Sequence, residues 1–152
     1  MAIEYSLVLD TSESPSELVE LLKENLQMQS KGNFLDTVAS DGIVCVVLPQ
    51  SELGRELVEQ AFRISSSICI VCTIDKFDLY DLGMDRLIRI CTLLLSNKNC
   101  DMVMLSNGES GLLLRRAGEI IVDCRDQYWK ERWTSEFLNC GISAVERALP
   151  SL

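Results

Sequence analysis

Four aspartates are the residues of this sequence whose type and spacing most clearly indicate chemistry: Asp75, Asp78, Asp81 and Asp85. They follow a predicted strand and lead into a predicted helix. Helix capping and contact with the helix dipole account for one or two of them, at about 0.3–1 kcal/mol per charge. The ligand spacing of an EF-hand calcium loop is absent. Because like charges placed so closely repel one another, we predict an exposed acidic patch that attracts a basic partner.

Catalytic and metal-binding groups are sparse. The sequence contains no histidine, the commonest general base and metal ligand near neutral pH. A serine or cysteine nucleophile would have no histidine to activate it, and the common nucleophile and phosphate-loop motifs are missing. Cys69 and Cys72 form a C-x-x-C pair, but a strand directs side chains three residues apart to opposite faces. We expect no enzyme, no cofactor and no metal site, and we expect all seven cysteines to be reduced.

The negative charge lies in the first part of the chain. Residues 1–85 carry 15 acidic and 5 basic side chains, residues 86–152 carry 8 and 9, and the net charge is −9. A protein with a pI near 4.5 is not expected to bind nucleic acid or an anionic membrane surface. A basic protein is the partner that this field favours. Four glutamates, mainly a solvated helix face, add to the field: Glu13, Glu17, Glu20 and Glu24.

Aromatic side chains are concentrated near the C-terminus, where Tyr128, Trp129 and Trp133 lie close together in the sequence. Two interpretations stay open. One or both tryptophans pack against the sheet as the C-terminal segment folds back over it. Alternatively, they form a binding hot spot, because Trp, Tyr and Arg are enriched where interface energy is concentrated.

Two similar units must position these residues. In the first unit, Ile3–Leu9 alternates as a strand, and residues 14–17 form a capping box for a helix that Gly32 would end. Strands over residues 34–39 and 42–48 follow, joined by a tight turn.

The second unit repeats this order. A strand over residues 67–74 precedes a helix that Asp81 would cap, and strands over residues 101–105, 111–115 and 119–123 come after it. The buried stripe of that helix is predicted to contain Met84, Leu87, Ile88, Cys91, Leu94 and Leu95.

These patterns predict one α+β domain over residues 1–152. We expect a single mostly antiparallel sheet from two β-α-β-β units, two long helices packed on one face, and a short linking helix over residues 52–62. The N-terminus lacks a basic region and contains Glu4, which excludes a signal peptide, and no apolar run approaches the ~20 residues of a membrane span. A cytoplasmic location is expected. The helix residues predicted to be buried against the sheet are Leu18, Leu22, Leu26, Leu87, Ile88, Cys91 and Leu95.

Several segments, in the same order along most of the chain, resemble a family of bacterial immunity proteins of the swarming-inhibition type, which protect a producing cell from a polymorphic toxin. The segments are Ala2-Ile-Glu-Tyr-Ser-Leu7, Glu52-Leu-Gly54, Thr73-Ile-Asp-Lys76, Asn107-Gly-Glu109, Leu114-Arg-Arg116 with Gly118, and Tyr128-Trp129. The resemblance implies a small cytoplasmic inhibitor that binds one cognate toxin domain and occludes its active site or substrate path. A nuclease with a basic cleft is a toxin that an acidic inhibitor would fit.

The residues predicted to bind the toxin are Asp75, Asp78, Asp81, Asp85, Glu109 and Trp129. The alternative function is a ligand-sensing module with a pocket between the sheet and the helices. Tyr128 or Trp129 would line that pocket, and acidic side chains would receive a cationic ligand.

Overall fold

The computed structural model describes residues 3–97 and 99–152, so Ala2 of the opening segment lies outside the described residues. In chain order, the elements are β1 (Ile3–Leu9), α1 (Pro15–Leu26), β2 (Gln29–Ser30), β3 (Thr37–Ser40), β4 (Ile43–Pro49), α2 (Glu52–Phe62), β5 (Ile68–Ile74), α3 (Tyr80–Asn97), β6 (Met102–Ser106), β7 (Ser110–Arg116), β8 (Glu119–Asp123), α4 (Gln127–Cys140) and β9 (Val145–Arg147).

All the described strands belong to one sheet in the order β2-β3-β4-β5-β1-β6-β7-β8-β9. Every pairing is antiparallel except that of β8 with β9, which is parallel. The predicted α+β fold with a single mostly antiparallel sheet is therefore confirmed.

The first strands of the two predicted units are exchanged in the sheet. β1 pairs with β6, which belongs to the second unit, and β5 pairs with β4, which belongs to the first. β1 and β5 then pair with each other at the centre, where Leu7 lies opposite Ile70. Each β-hairpin is thus completed by the first strand of the other unit. Sequence periodicity reports which face a side chain occupies and contains no information on this exchange.

Helices α1, α3 and α4 pack on one face of the sheet, and α2 packs on the other. The main core lies between these three helices and one face of the sheet. It contains Leu22 of α1, Leu87 of α3 and Trp133 of α4, together with Leu7 of β1. A second, smaller core lies beneath α2 and includes Val58. The prediction of two long helices on one face is confirmed by α1 and α3, and α4 adds a third helix to that layer.

The predicted core positions are buried, except for Leu26, which is only partly buried at the end of α1. Gln27 adopts a left-handed conformation with φ of 53° and ends the helix there, so the prediction that Gly32 ends it is wrong. The predicted strand over residues 34–39 is also shorter than expected, because Phe34 and Leu35 lie exposed in a loop before β3. Neither α4 nor the short strands β2 and β9 were predicted from the sequence.

The two cysteines of the C-x-x-C pair face opposite sides of the sheet, as predicted. Cys72 lies in the main core, whereas Cys69 packs against the second core. Cys72 instead lies directly across from Cys45 of β4, with 3.4 Å between the two Sγ atoms. The hydrogen bond with the Cys45 thiol and burial both raise the pKa of Cys72, which favours its neutral thiol.

Candidate functional site

The candidate acidic residues lie at one end of the sheet. The end of β5 meets the start of β1 and the start of β4, since Ile74 pairs with both Ile3 and Ile43. The β6–β7 turn lies at the same end, because Ser106 pairs with Tyr5 of β1. We call this edge the acidic end, and it contains Asp41, Asp75, Asp78, Asp81 and Glu109.

Asp75 shapes the connection between β5 and α3. Its Oδ1 accepts a hydrogen bond from the backbone N–H of Phe77 at 3.0 Å, and its Oδ2 accepts one from Leu79 at 3.2 Å. The side chain therefore closes the turn that precedes α3 and does not cap the helix, because Phe77 and Leu79 both lie before its first residue. Asp81 does not cap the helix as predicted, because α3 begins one residue earlier, at Tyr80.

Asp78 and Asp81 are exposed, and in the part of the chain that the structure describes neither carboxylate forms an ion pair. Asp85 lies one turn further along α3, where its carboxylate is 3.3 Å from the guanidinium of Arg132 on α4. Asp78 and Asp81 are thus the uncompensated charges of the group, and Asp85 helps to join two helices.

Glu109 is exposed at the same end but further along it. The β6–β7 turn lies two to three strands from β5 in the sheet order, roughly 10–15 Å away at the usual strand spacing. That separation exceeds the screening length of about 8 Å at physiological salt, so Glu109 adds little to the field at Asp78. Asp41 lies nearer to the aspartates, and its position in a predicted turn was the signal that could have identified it.

The start of α3 packs tightly on the β3–β4 turn. The backbones of Gly42 and Gly83 approach so closely that a Cβ on Gly83 would overlap the Gly42 carbonyl. The backbone N–H of Asp75 donates to that same Gly42 carbonyl at 2.9 Å. Two separate segments of the acidic end are thereby held in a fixed relation to each other.

Exposed apolar side chains accompany the aspartates. Phe77 is 71% exposed and Leu82 is 45% exposed, and both lie in the segment between β5 and the second turn of α3. Tyr128 at the start of α4 is 40% exposed, and its hydroxyl lies 3.4 Å from that of Tyr80. Sequence reasoning missed Phe77 and Leu82, because neither belongs to the apolar stripe of a predicted element.

The tryptophans of α4 pack inside the protein. Trp129 is only 4% exposed, with its ring at right angles to Tyr5 and stacked on Trp133 at 5.2 Å. The structure therefore favours the packing interpretation of the two tryptophans, and Trp129 does not present an exposed anchor. The neighbouring exposed aromatic ring is that of Tyr128, which the Arg132 guanidinium covers at 4.7 Å.

The ligand-sensing alternative requires a pocket between the sheet and the helices. Beneath α4, these aromatic rings fill that region. Desolvation by burial raises the pKa of the Tyr5 phenol to about 12. The cleft beyond Trp133 is open and about 310 Å³ in volume, and it lies between α4 and β9 away from the aspartates. Neither this cleft nor the one between α3 and α4, which Asp85 and Arg132 line, includes Tyr128 or Trp129 in its lining.

Several thiols of the described residues are held in their unreactive form. Desolvation raises the pKa of the Cys69, Cys91 and Cys100 thiols, which suppresses the reactive thiolate form. Among residues 3–97 and 99–152, no group of cysteine and carboxylate side chains has an arrangement suited to a metal ion. Within the same residues, every helix is too short or too polar to cross a bilayer.

Comparison with known proteins identifies the family. A family model described as SitI3-like matches residues 3–133, which is most of the chain. The chain belongs to the SitI3-like family. SitI proteins are immunity proteins of toxin systems, so membership indicates an immunity function with a toxin protein as partner and a non-enzymatic role. Searches of the curated proteins and of the solved structures found no match.

The SitI3-like match begins with β1 and ends within α4. It therefore includes the whole acidic end, the α3 helix and Tyr128. The last part of α4 and strand β9 lie beyond it. The match agrees with the resemblance seen in the sequence in so far as both indicate an immunity protein of a toxin system.

Proposed function

We propose that this SitI3-like protein acts in the cytoplasm, where it binds a cognate toxin domain through the acidic end and neutralises it by covering its active site or substrate path. The observation that supports this choice of surface is the pair of exposed carboxylates, Asp78 and Asp81, which no cation of the described residues neutralises. A pair of uncompensated charges in a fixed position favours a partner that brings positive charge.

A basic toxin domain is the partner that the charge favours. The net charge of −9 gives the protein a long-range attraction for such a domain. If the toxin is a nuclease, its cleft contains basic side chains that bind substrate phosphates, and the carboxylates of Asp78 and Asp81 would occupy the same positions. Inhibition would then follow from competition for the cleft.

The proposed binding residues have different roles. Asp78 and Asp81 attract the toxin. Asp85 is partly neutralised by its ion pair with Arg132, and Glu109 extends the acidic surface along the end of the sheet. Asp75 contributes by fixing the backbone of the turn. Trp129 supports the surface from beneath, because its side chain is buried.

Charge reversal tests the proposal. Asp78→Lys/Asp81→Lys should slow association with the toxin domain encoded beside the gene by about tenfold or more at low salt, and it should weaken the salt dependence, because steering by charge acts on the association rate. The matched control is Glu56→Lys/Glu59→Lys on α2, which changes the net charge equally on the other face of the sheet. Binding kinetics at two salt concentrations and toxin protection in cells provide the measurements.

The control separates position from total charge. Equal slowing by both double variants would mean that only net charge matters and that the acidic end is not the binding surface. Failure of the wild-type protein to bind any toxin domain encoded nearby would contradict the proposed function and favour the ligand-sensing alternative.

A further inference from the structure

Exposed apolar side chains cluster at the acidic end. Phe77, Leu79 and Leu82 lie within one short segment at 71%, 39% and 45% exposure, although charged residues surround them. A phenylalanine exposed to this extent keeps most of its apolar surface in water. Burying that surface in a complex would contribute a favourable free energy of about 25 cal/mol per Å². What distinguishes this cluster from the exposed pair Phe34 and Leu35 is the uncompensated carboxylates beside it, and an apolar group bordered by charge is typical of a surface that another molecule covers.

The segment that presents Phe77 is held in place at several points. The Asp75 carboxylate binds the backbone N–H of Phe77 and that of Leu79, and Tyr80 donates a backbone hydrogen bond to the Phe77 carbonyl at 3.2 Å. The close approach of Gly42 and Gly83 fixes the helix that follows. An anchor presented in a preformed conformation loses less entropy on binding than one on a loose loop.

The surroundings of Phe77 have the composition of an interface hot spot. Asp78 follows Phe77 directly and Asp81 lies in the first turn of α3, so carboxylates border the apolar side chain, and Tyr128 contacts the same turn of α3 through the Tyr80 hydroxyl. Interfaces commonly combine a buried aromatic anchor with polar groups that exclude water around it. The complementary surface is an apolar pocket bordered by lysine or arginine side chains.

We propose that Phe77 is the main apolar anchor of this protein, and that it inserts into an apolar pocket bordered by basic side chains on the toxin domain. This inference rests on the proposed function. It assigns much of the binding energy of the complex with the toxin domain to Phe77, a residue that carries no charge. The aspartates accelerate the encounter, whereas Phe77 holds the complex together. Association and dissociation rates are therefore controlled by different side chains of one turn.

The test compares two phenylalanines of nearly equal exposure. Phe77→Ala should raise the dissociation rate of the complex about 30-fold and change the association rate by less than about threefold, as expected for a hot-spot residue. Phe34→Ala is the matched control, because Phe34 is 68% exposed in the loop before β3, toward the other end of the sheet. It should leave both rates unchanged. Thermal unfolding of both variants checks that each is folded.

A second variant tests the positioning role of Asp75. Asp75→Asn replaces one of the two acceptor oxygens with an NH2 donor, so it removes one of the two backbone hydrogen bonds and should also speed dissociation in the wild-type background. In the Phe77→Ala background the same substitution should have little further effect on dissociation, because its contribution acts through Phe77.

The outcomes distinguish the anchor from the function. If the wild-type protein binds the toxin domain while Phe77→Ala and Phe34→Ala dissociate at the wild-type rate, the anchor is wrong and the immunity function stands. If the wild-type protein binds no neighbouring toxin domain, both proposals fail. Selective loss in Phe77→Ala, together with non-additive behaviour of Asp75→Asn, supports the anchor.

Discussion

Replacing Gly83 with alanine tests whether α3 is held against the β3–β4 turn as described. In an ordinary helix interior this change stabilises the protein by about 1 kcal/mol, because glycine has a higher conformational entropy to lose. Here the added Cβ would overlap the Gly42 carbonyl and would lie 2.9 Å from Cγ2 of Ile74. Overpacking against backbone that cannot move aside costs about 1–3 kcal/mol or more.

The expected sign is therefore opposite to that of helix propensity. Gly83→Ala should lower the free energy of unfolding by about 1–2 kcal/mol, which corresponds to a fall in Tm of about 2–8 °C for a chain of this length. Gly54→Ala on α2 is the matched control. A Cβ there would meet only side-chain atoms, those of Gln50 and the Oγ of Ser51, and side chains can move aside more easily than backbone. That variant should keep its stability or gain up to about 1 kcal/mol.

Urea unfolding followed by circular dichroism measures both variants. The slope of the unfolding free energy against urea should stay constant, so that a change in midpoint reports stability alone. A Gly83→Ala protein as stable as the Gly54→Ala protein would refute the close contact between α3 and the β3–β4 turn. The placement of the acidic end relative to the sheet would then be wrong as well.

Two further predictions concern thiols and pH. Iodoacetamide should label Cys124 and Cys140 in the folded protein, because both are exposed, and it should label Cys45 and Cys72 only after unfolding. Peptide mass spectrometry measures the labelling. Rapid labelling of Cys45 and Cys72 in the folded protein would contradict the described core. The pKa of Tyr5 is raised to about 12 in the folded state from an ordinary value of 10.0, so its contribution to stability is complete below pH 10 and is lost as the pH rises toward 12. Tyr5→Phe should make alkaline unfolding shallower over that range, and identical titrations would show that Tyr5 is not buried as described.

Much of the fold could be predicted from periodicity. The alternating strands and the apolar stripes of α1 and α3 were predicted because each element has one face against the core. Helix α4 was missed although Asp126 caps its start and Gly141 ends it, because the helix is rich in polar residues and its aromatic row resembled a binding motif. The exchange of β1 and β5 could not be predicted, since partner choice between equally apolar strands depends on the whole sheet.

The candidate site was predicted in part. The cluster of aspartates was visible in the sequence, and Asp78 and Asp81 are exposed as an acidic patch requires. The two hydrogen bonds of Asp75 were not foreseen in detail, because the sequence does not say which of several neighbouring aspartates turns back to its own backbone. Phe77 was missed because an exposed apolar residue in a turn belongs to no periodic pattern.

The exchange of first strands also determines when the protein can form during translation. β1 is made first, but its two neighbours in the sheet are residues 68–74 and 102–106. At a synthesis rate of roughly 5–20 residues per second, the ribosome needs several seconds after β1 to reach Ser106. Until residues 68–74 are made, β1 has no partner, and until residues 102–106 are made, one of its edges stays unpaired and open to proteases and chaperones. The centre of the sheet is therefore completed only late in synthesis.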